Sequence, residues 1–181
     1  MSNSNLIPWR SVKRWMCFGC GDCCRRFTVV LNSSELSFFL KKYPLYLQKI
    51  GSKTVLRRTS TGSCIFQVGG LCVIQNHKPL ACKLWPFHFF RRPLQPEDTR
   101  WAEYDYQGQR YYVYVDTTCA GVGVGFPVEF TIRELVRILE GEKIPQVYST
   151  SPKFYVLKSK PERLEDKELF SKLWFYARRN L

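Results

Sequence analysis

The densest chemistry in this chain lies in eight residues, Cys17-Phe-Gly-Cys20-Gly-Asp-Cys23-Cys24. Three thiols spaced three residues apart can converge on one centre if the loop turns tightly, and Gly19 and Gly21 supply the backbone freedom for that turn. Such a loop can also aim backbone N–H groups at the sulfurs and stabilise thiolates. Adjacent Cys23 and Cys24 are expected to project in different directions, which assigns one of them to a second centre or to a binuclear cluster. The remaining cysteines are Cys64, Cys72, Cys82 and Cys119, giving eight in all. Eight thiols divide into two four-ligand sites, whether all-thiolate zinc or iron–sulfur. The Cys-x2-Cys-x2-Cys spacing suits the three-ligand part of a bacterial ferredoxin run, and paired Cys-x2-Cys knuckles suit structural zinc. The expected cofactor is therefore an iron–sulfur cluster or zinc, in one or two sites.

Other chemistry is sparse. His77 and His88 are the only histidines, and both are read as core or surface residues rather than ligands. Asp22 is read as a solvated loop residue. Gly121-Val-Gly-Val-Gly125 lacks the spacing and the strand–helix–strand context of a dinucleotide loop, so it is read as a turn presenting Cys119. No paired carboxylates, nucleophile–base signature or cofactor loop is visible. The sequence thus favours a noncatalytic accessory factor. The alternative is a redox or modification enzyme that uses the cluster, which would need an open coordination position.

The pattern as a whole resembles the YkgJ-like cysteine-cluster family. The resemblance is carried by Cys17–Arg25, Glu35, Gly62-Ser-Cys64-Ile-Phe66, Cys72-Val-Ile74, Lys78-Pro79, Cys82-Lys-Leu-Trp-Pro86-Phe87 and Cys119-x-Gly121, spanning about residues 15–125. It implies zinc or iron chelation, with no settled reaction. The chain departs from the family pattern at Lys78 and Lys83, where Arg is usual; Lys keeps the charge and loses the bidentate fork.

The elements that position these thiols are short. Phe27–Leu31 is β-branched and apolar and reads as a strand. Asn32 with Glu35 forms a capping-box pattern opening a helix over Ser33–Lys42, closed by Pro44. Thr54–Leu56 and Cys64–Gln67 read as extended, and Gly69-Gly70 turns the chain back into Leu71–Ile74 as a hairpin. Trp101–Tyr106 and Arg110–Asp116 make a second hairpin around Gln107-Gly108. Ile132, Leu135, Val136 and Leu139 mark an amphipathic helix over Val128–Glu140 that Gly141 ends. Pro161 opens a last helix with Leu164, Leu169, Leu173, Trp174 and Ala177 on its apolar face. The fold class is α+β: a small single domain with short hairpins, two or three helices and irregular metal-organised loops. Residues 1–14 read as a basic N-terminal arm, 15–141 as the cysteine-cluster metal-binding domain, and 142–181 as a linker and C-terminal amphipathic helix.

Composition bounds the partners and the compartment. Of 181 residues, 45% are hydrophobic and 15% aromatic, enough for a buried core. No apolar run approaches the roughly 18–20 residues of a membrane span, and a cytoplasmic location is expected, where reducing conditions turn cysteines toward metal or redox chemistry. Lys and Arg number 28 against 15 acidic residues, for a net charge of +13. Residues 1–60 alone hold 11 basic and 2 acidic residues. Arg25, Arg26, Lys41, Lys42, Arg57 and Arg58 are the candidate contacts for an anionic surface. RNA, the ribosome or a protein complex is the expected partner class.

Overall fold

The computed structural model describes residues 5–142. The expected linker and C-terminal helix lie almost wholly outside them. The described residues divide into two compact units, 5–18 with 80–142, and 19–79. The first boundary falls inside the cysteine run, between Phe18 and Gly19. The fold is α+β, with five α-helices and several short antiparallel strands among the described residues. None of these helices is long and apolar enough to cross a membrane.

The first unit is built on the strand Gln109–Asp116, whose residues Tyr111 to Val115 are all buried. A run of β-branched and aromatic side chains buried on both faces suits the centre of a sheet. Leu6–Pro8 pairs along one edge and Phe87–Phe90 along the other, both antiparallel. Glu103–Tyr106 completes the sheet as a hairpin turned at Gln107-Gly108, where both residues have positive φ. Trp101 falls outside this hairpin, in the short helix Thr99–Ala102. Arg14–Trp15 pairs with Phe126–Pro127. The helix Val128–Leu139 buries Val128, Thr131, Ile132, Leu135 and Val136, the stripe that 3.6-residue periodicity demands. Gly141 follows at φ 87°.

The second unit has less regular backbone. Asn32 caps the helix Ser33–Lys42: its side chain accepts from Glu35 N–H, and the Glu35 carboxylate accepts from Asn32 N–H, each at 2.9 Å. Phe39 is its buried anchor and packs edge-on against Phe66. Phe27–Leu31 is extended without forming a strand. It makes a single bridge, Val30 to Val55, flanked by Leu31 N–H to Thr54 O and Leu56 N–H to Val29 O, each 3.1 Å. Leu47–Ile50 and Lys53–Leu56 form an antiparallel hairpin. Gln67–Val68 and Leu71–Cys72 form another across Gly69-Gly70, shorter than the sequence suggests.

Candidate metal centre

In the second unit three segments bring four cysteines together. Gly21 takes φ 72° and leads into the helix Asp22–Arg26, which carries Cys23 and Cys24. A side chain on Gly21 would meet Gln67 Nε2 at 1.9 Å and Gly70 O at 2.9 Å, so the cysteine loop and the 67–72 hairpin approach backbone to backbone only because position 21 has no Cβ. The Gln67 amide donates to Gly21 O at 3.0 Å and locks that approach. Cys64 donates its N–H to Cys24 O at 2.8 Å. Cys72 closes the hairpin opposite Gln67. All four cysteines are half-buried.

Their thiols interact. The Cys23 and Cys24 side chains hydrogen-bond each other. The bond from Cys24 brings the Cys23 thiol down to about 7, with the Lys78 charge acting in the same direction. The same bond pushes Cys24 up, reinforced by burial and by the charges of Cys23, Cys72 and Cys64. Burial raises Cys64 and Cys72, and Lys78 partly offsets the rise at Cys72. Lys78 is itself buried, at 6% exposure. Four thiols gathered in low dielectric resist ionising together unless a cation joins them. The donor set fits such a cation: sulfur ligands suit zinc and the iron of iron–sulfur clusters. Four thiolates on a divalent ion leave two negative charges, and the Lys78 ammonium offsets one. Among the described residues, no group of three or more cysteine, histidine or carboxylate side chains is arranged to hold a metal ion as it stands, so the thiols would have to draw together around one.

The rim of this cluster is braced by charge. Asp22 accepts from Arg25, and its carboxyl is held below the usual range first by that bond and then by one from the Cys20 thiol. Cys20 itself is exposed. Arg58 donates to Gly62 O at 2.8 Å, to Phe27 O at 2.9 Å and to Arg25 O. Arg57 donates to Leu45 O at 3.0 Å. Arg26, Lys41 and Lys42 are exposed, with the Lys42 ammonium 5.6 Å from the Phe38 and Tyr43 ring centres.

The first unit holds Cys17, Cys82 and Cys119, all half-buried. Met16 N–H donates to Gly121 O at 3.1 Å, and a Cβ on Gly121 would sit 1.8 Å from Met16 O. Asp116 N–H donates to Pro86 O at 2.9 Å, and Cys119 N–H to Asp116 O at 3.2 Å. The segments bearing the three thiols are thus cross-linked by backbone bonds. Both histidines sit in aromatic packing, His77 against Phe38 and His88 between Trp85 and Phe90.

A family model named CxxCxxCC and described as a "putative zinc- or iron-chelating domain" matches residues 16–120, more than half of the chain. The chain belongs to this family. The span matched by the CxxCxxCC domain runs from just before Cys17 to just after Cys119 and so takes in all eight cysteines. Membership supports binding of zinc or iron. No curated protein and no solved structure matches the chain.

Two residues of the CxxCxxCC domain carry more than their sequence context announces. Lys78 stands out in the sequence only as a replacement for Arg, yet its charge acts on Cys23 and Cys72. Gln67 has no motif at all, and it fastens the cysteine loop. The available signal was position: both lie within half a dozen residues of Cys72.

Proposed function

We propose that this CxxCxxCC domain is a metal-organised accessory protein in which Cys23, Cys24, Cys64 and Cys72 hold zinc or the iron of an iron–sulfur cluster. The observation that carries the reading is that these four thiols, from three separate segments, lie within electrostatic reach of one another, with Cys64 N–H bonded to Cys24 O and the buried Lys78 ammonium acting on Cys23 and Cys72. When bound, the metal supplies a cross-link among segments that have little regular structure of their own, and its binding free energy becomes folding free energy. The protein's own groups do the rest. Gln67 and Arg58 fix the backbone that presents the sulfurs, and Lys78 offsets their charge. Four thiolates saturate a tetrahedral ion and leave no open position for a substrate, which is the arrangement of a structural or electron-transfer site. Cys17, Cys20, Cys82 and Cys119 remain candidate ligands. The second unit then offers a basic surface to an anionic partner, RNA or the ribosome, in the reducing cytoplasm.

Metal analysis of anaerobically purified protein tests this reading. The whole chain should carry zinc, or iron with sulfide, and Cys72→Ser should lower the metal count while Ser60→Ala leaves it unchanged. Equal metal content in wild type and Cys72→Ser would reject the assignment. A count of two ions or clusters per chain would call for ligands beyond these four.

A further inference from the structure

The second unit is strongly one-sided in charge. Residues 19–79 contain nine Lys and Arg against two acidic residues, Asp22 and Glu35. Asp22 is paired with Arg25, and Glu35 serves the helix cap. From this unit the hairpin of Leu47–Ile50 and Lys53–Leu56 presents six consecutive exposed residues, Gln48 to Lys53. Cross-strand partners share a face of a ribbon, and successive residues alternate. Lys49 stands opposite Thr54, and Lys53 opposite Ile50, so the two lysines lie on opposite faces near the tip. Between them the tip is Ile50-Gly51-Ser52, and Ile50 is 53% exposed.

From this we infer that the 47–56 ribbon docks in a groove of double-helical RNA, with Lys49 and Lys53 each meeting a phosphate strand on either side. A cation on each face suits a cleft with two anionic walls, whereas an acidic protein surface needs cations on one face only. Between the two lysines the tip Ile50-Gly51-Ser52 carries no Arg, Lys, Asn or Gln, the side chains that read base edges bidentately. The Gly51-Ser52 turn, small and hydroxyl-bearing, suits recognition by shape and by 2′-hydroxyls in the shallow groove of an A-form helix. The inference deepens the partner reading above and does not depend on which metal is bound.

Fluorescence anisotropy with the full metal-loaded chain and a labelled RNA duplex of about 16 base pairs tests it. Binding should be indifferent to sequence and should fall steeply with salt. The double variant Lys49→Gln/Lys53→Gln should lose on the order of tenfold to a hundredfold affinity at about 0.1 M salt, and its log–log salt slope should flatten by about 1.8, roughly 0.9 per phosphate. Lys49→Arg/Lys53→Arg should retain binding. Metal content, measured in every variant, should not change. Equal affinity for a DNA duplex of the same sequence, for single-stranded RNA or for polyglutamate would overturn the inference, as would wild-type affinity in the double Gln variant. A chain that keeps its metal and ignores duplex RNA overturns this inference alone; a chain that binds duplex RNA without metal overturns the metal reading alone.

Discussion

The backbone N–H of Cys64 donates to the carbonyl of Cys24 at 2.8 Å. Two candidate ligands 40 positions apart in sequence are therefore joined by a bond that does not involve their sulfurs. Changing either side chain leaves that bond available, so a thiol substitution at Cys64 reads the metal rather than the backbone.

Cys64→Ser should release metal and lower the stability of the chain. If the ion is present at about 1,000 times its Kd, its loss removes about 4 kcal/mol of linkage stabilisation. Thermal unfolding with and without a chelator checks this. The wild type should fall toward the variant on chelation, and the variant should not respond. A variant that melts with the wild type and still responds to chelator would show Cys64 to be a bystander.

Removing the buried charge at Lys78 should make the thiols harder to ionise. In Lys78→Met, the pH at which metal is half released on acidification should rise by on the order of one unit, because metal binding requires thiolates and an adjacent cation favours them. Lys78→Arg should stay near wild type. An unmoved midpoint in Lys78→Met, followed by metal release against pH, would mean that Lys78 serves packing alone.

Arg58 spends its donors on the carbonyls of Gly62, Phe27 and Arg25. Arg58→Ala should destabilise the chain by about 1–2 kcal/mol, since hydrogen bonds from a charged donor are lost and the one partly buried acceptor, Phe27 O, is left unmet. Arg58→Lys should recover little, because an ammonium lacks the planar fork. Urea unfolding of the three proteins gives the comparison, and full recovery by Lys would contradict it.

Local chemistry was legible in the sequence and tertiary burial was not. Asn32 and Glu35 announce their cap, and Gln107-Gly108 its turn, because each depends on neighbours within three or four residues. Leu47–Ile50 gave little signal as a strand. Three of its four residues are exposed, so no apolar alternation marks it. Phe27–Leu31 has strand-like composition but finds only one bridging partner, Val55. The eight thiols are conspicuous by scarcity and spacing. The meeting of the Cys23 and Cys24 sulfurs depends on side-chain torsions, which spacing does not specify. The burial of Lys78 depends on what folds over it.

His88 should make the stability of the chain depend on pH. Burial holds its imidazole below the usual value of 6.5, against the opposing pull of Asp116, and its Nε2 is buried without a hydrogen-bond partner among the described residues. As pH falls through 6.5 the unfolded chain takes up a proton that the folded chain resists, so stability present above that pH is lost below it. Between about pH 7 and pH 5 the decline should be shallower in His88→Phe. Denaturant midpoints across that range settle the point, and parallel curves would count against it.

X-ray absorption at the metal edge of the anaerobically isolated chain shows whether sulfur alone holds the metal. A first shell of four sulfur scatterers at about 2.3 Å is expected at the zinc edge or the iron edge, with the edge signal lost in Cys64→Ser. A first shell of nitrogen or oxygen, unchanged by that substitution, would contradict sulfur ligation.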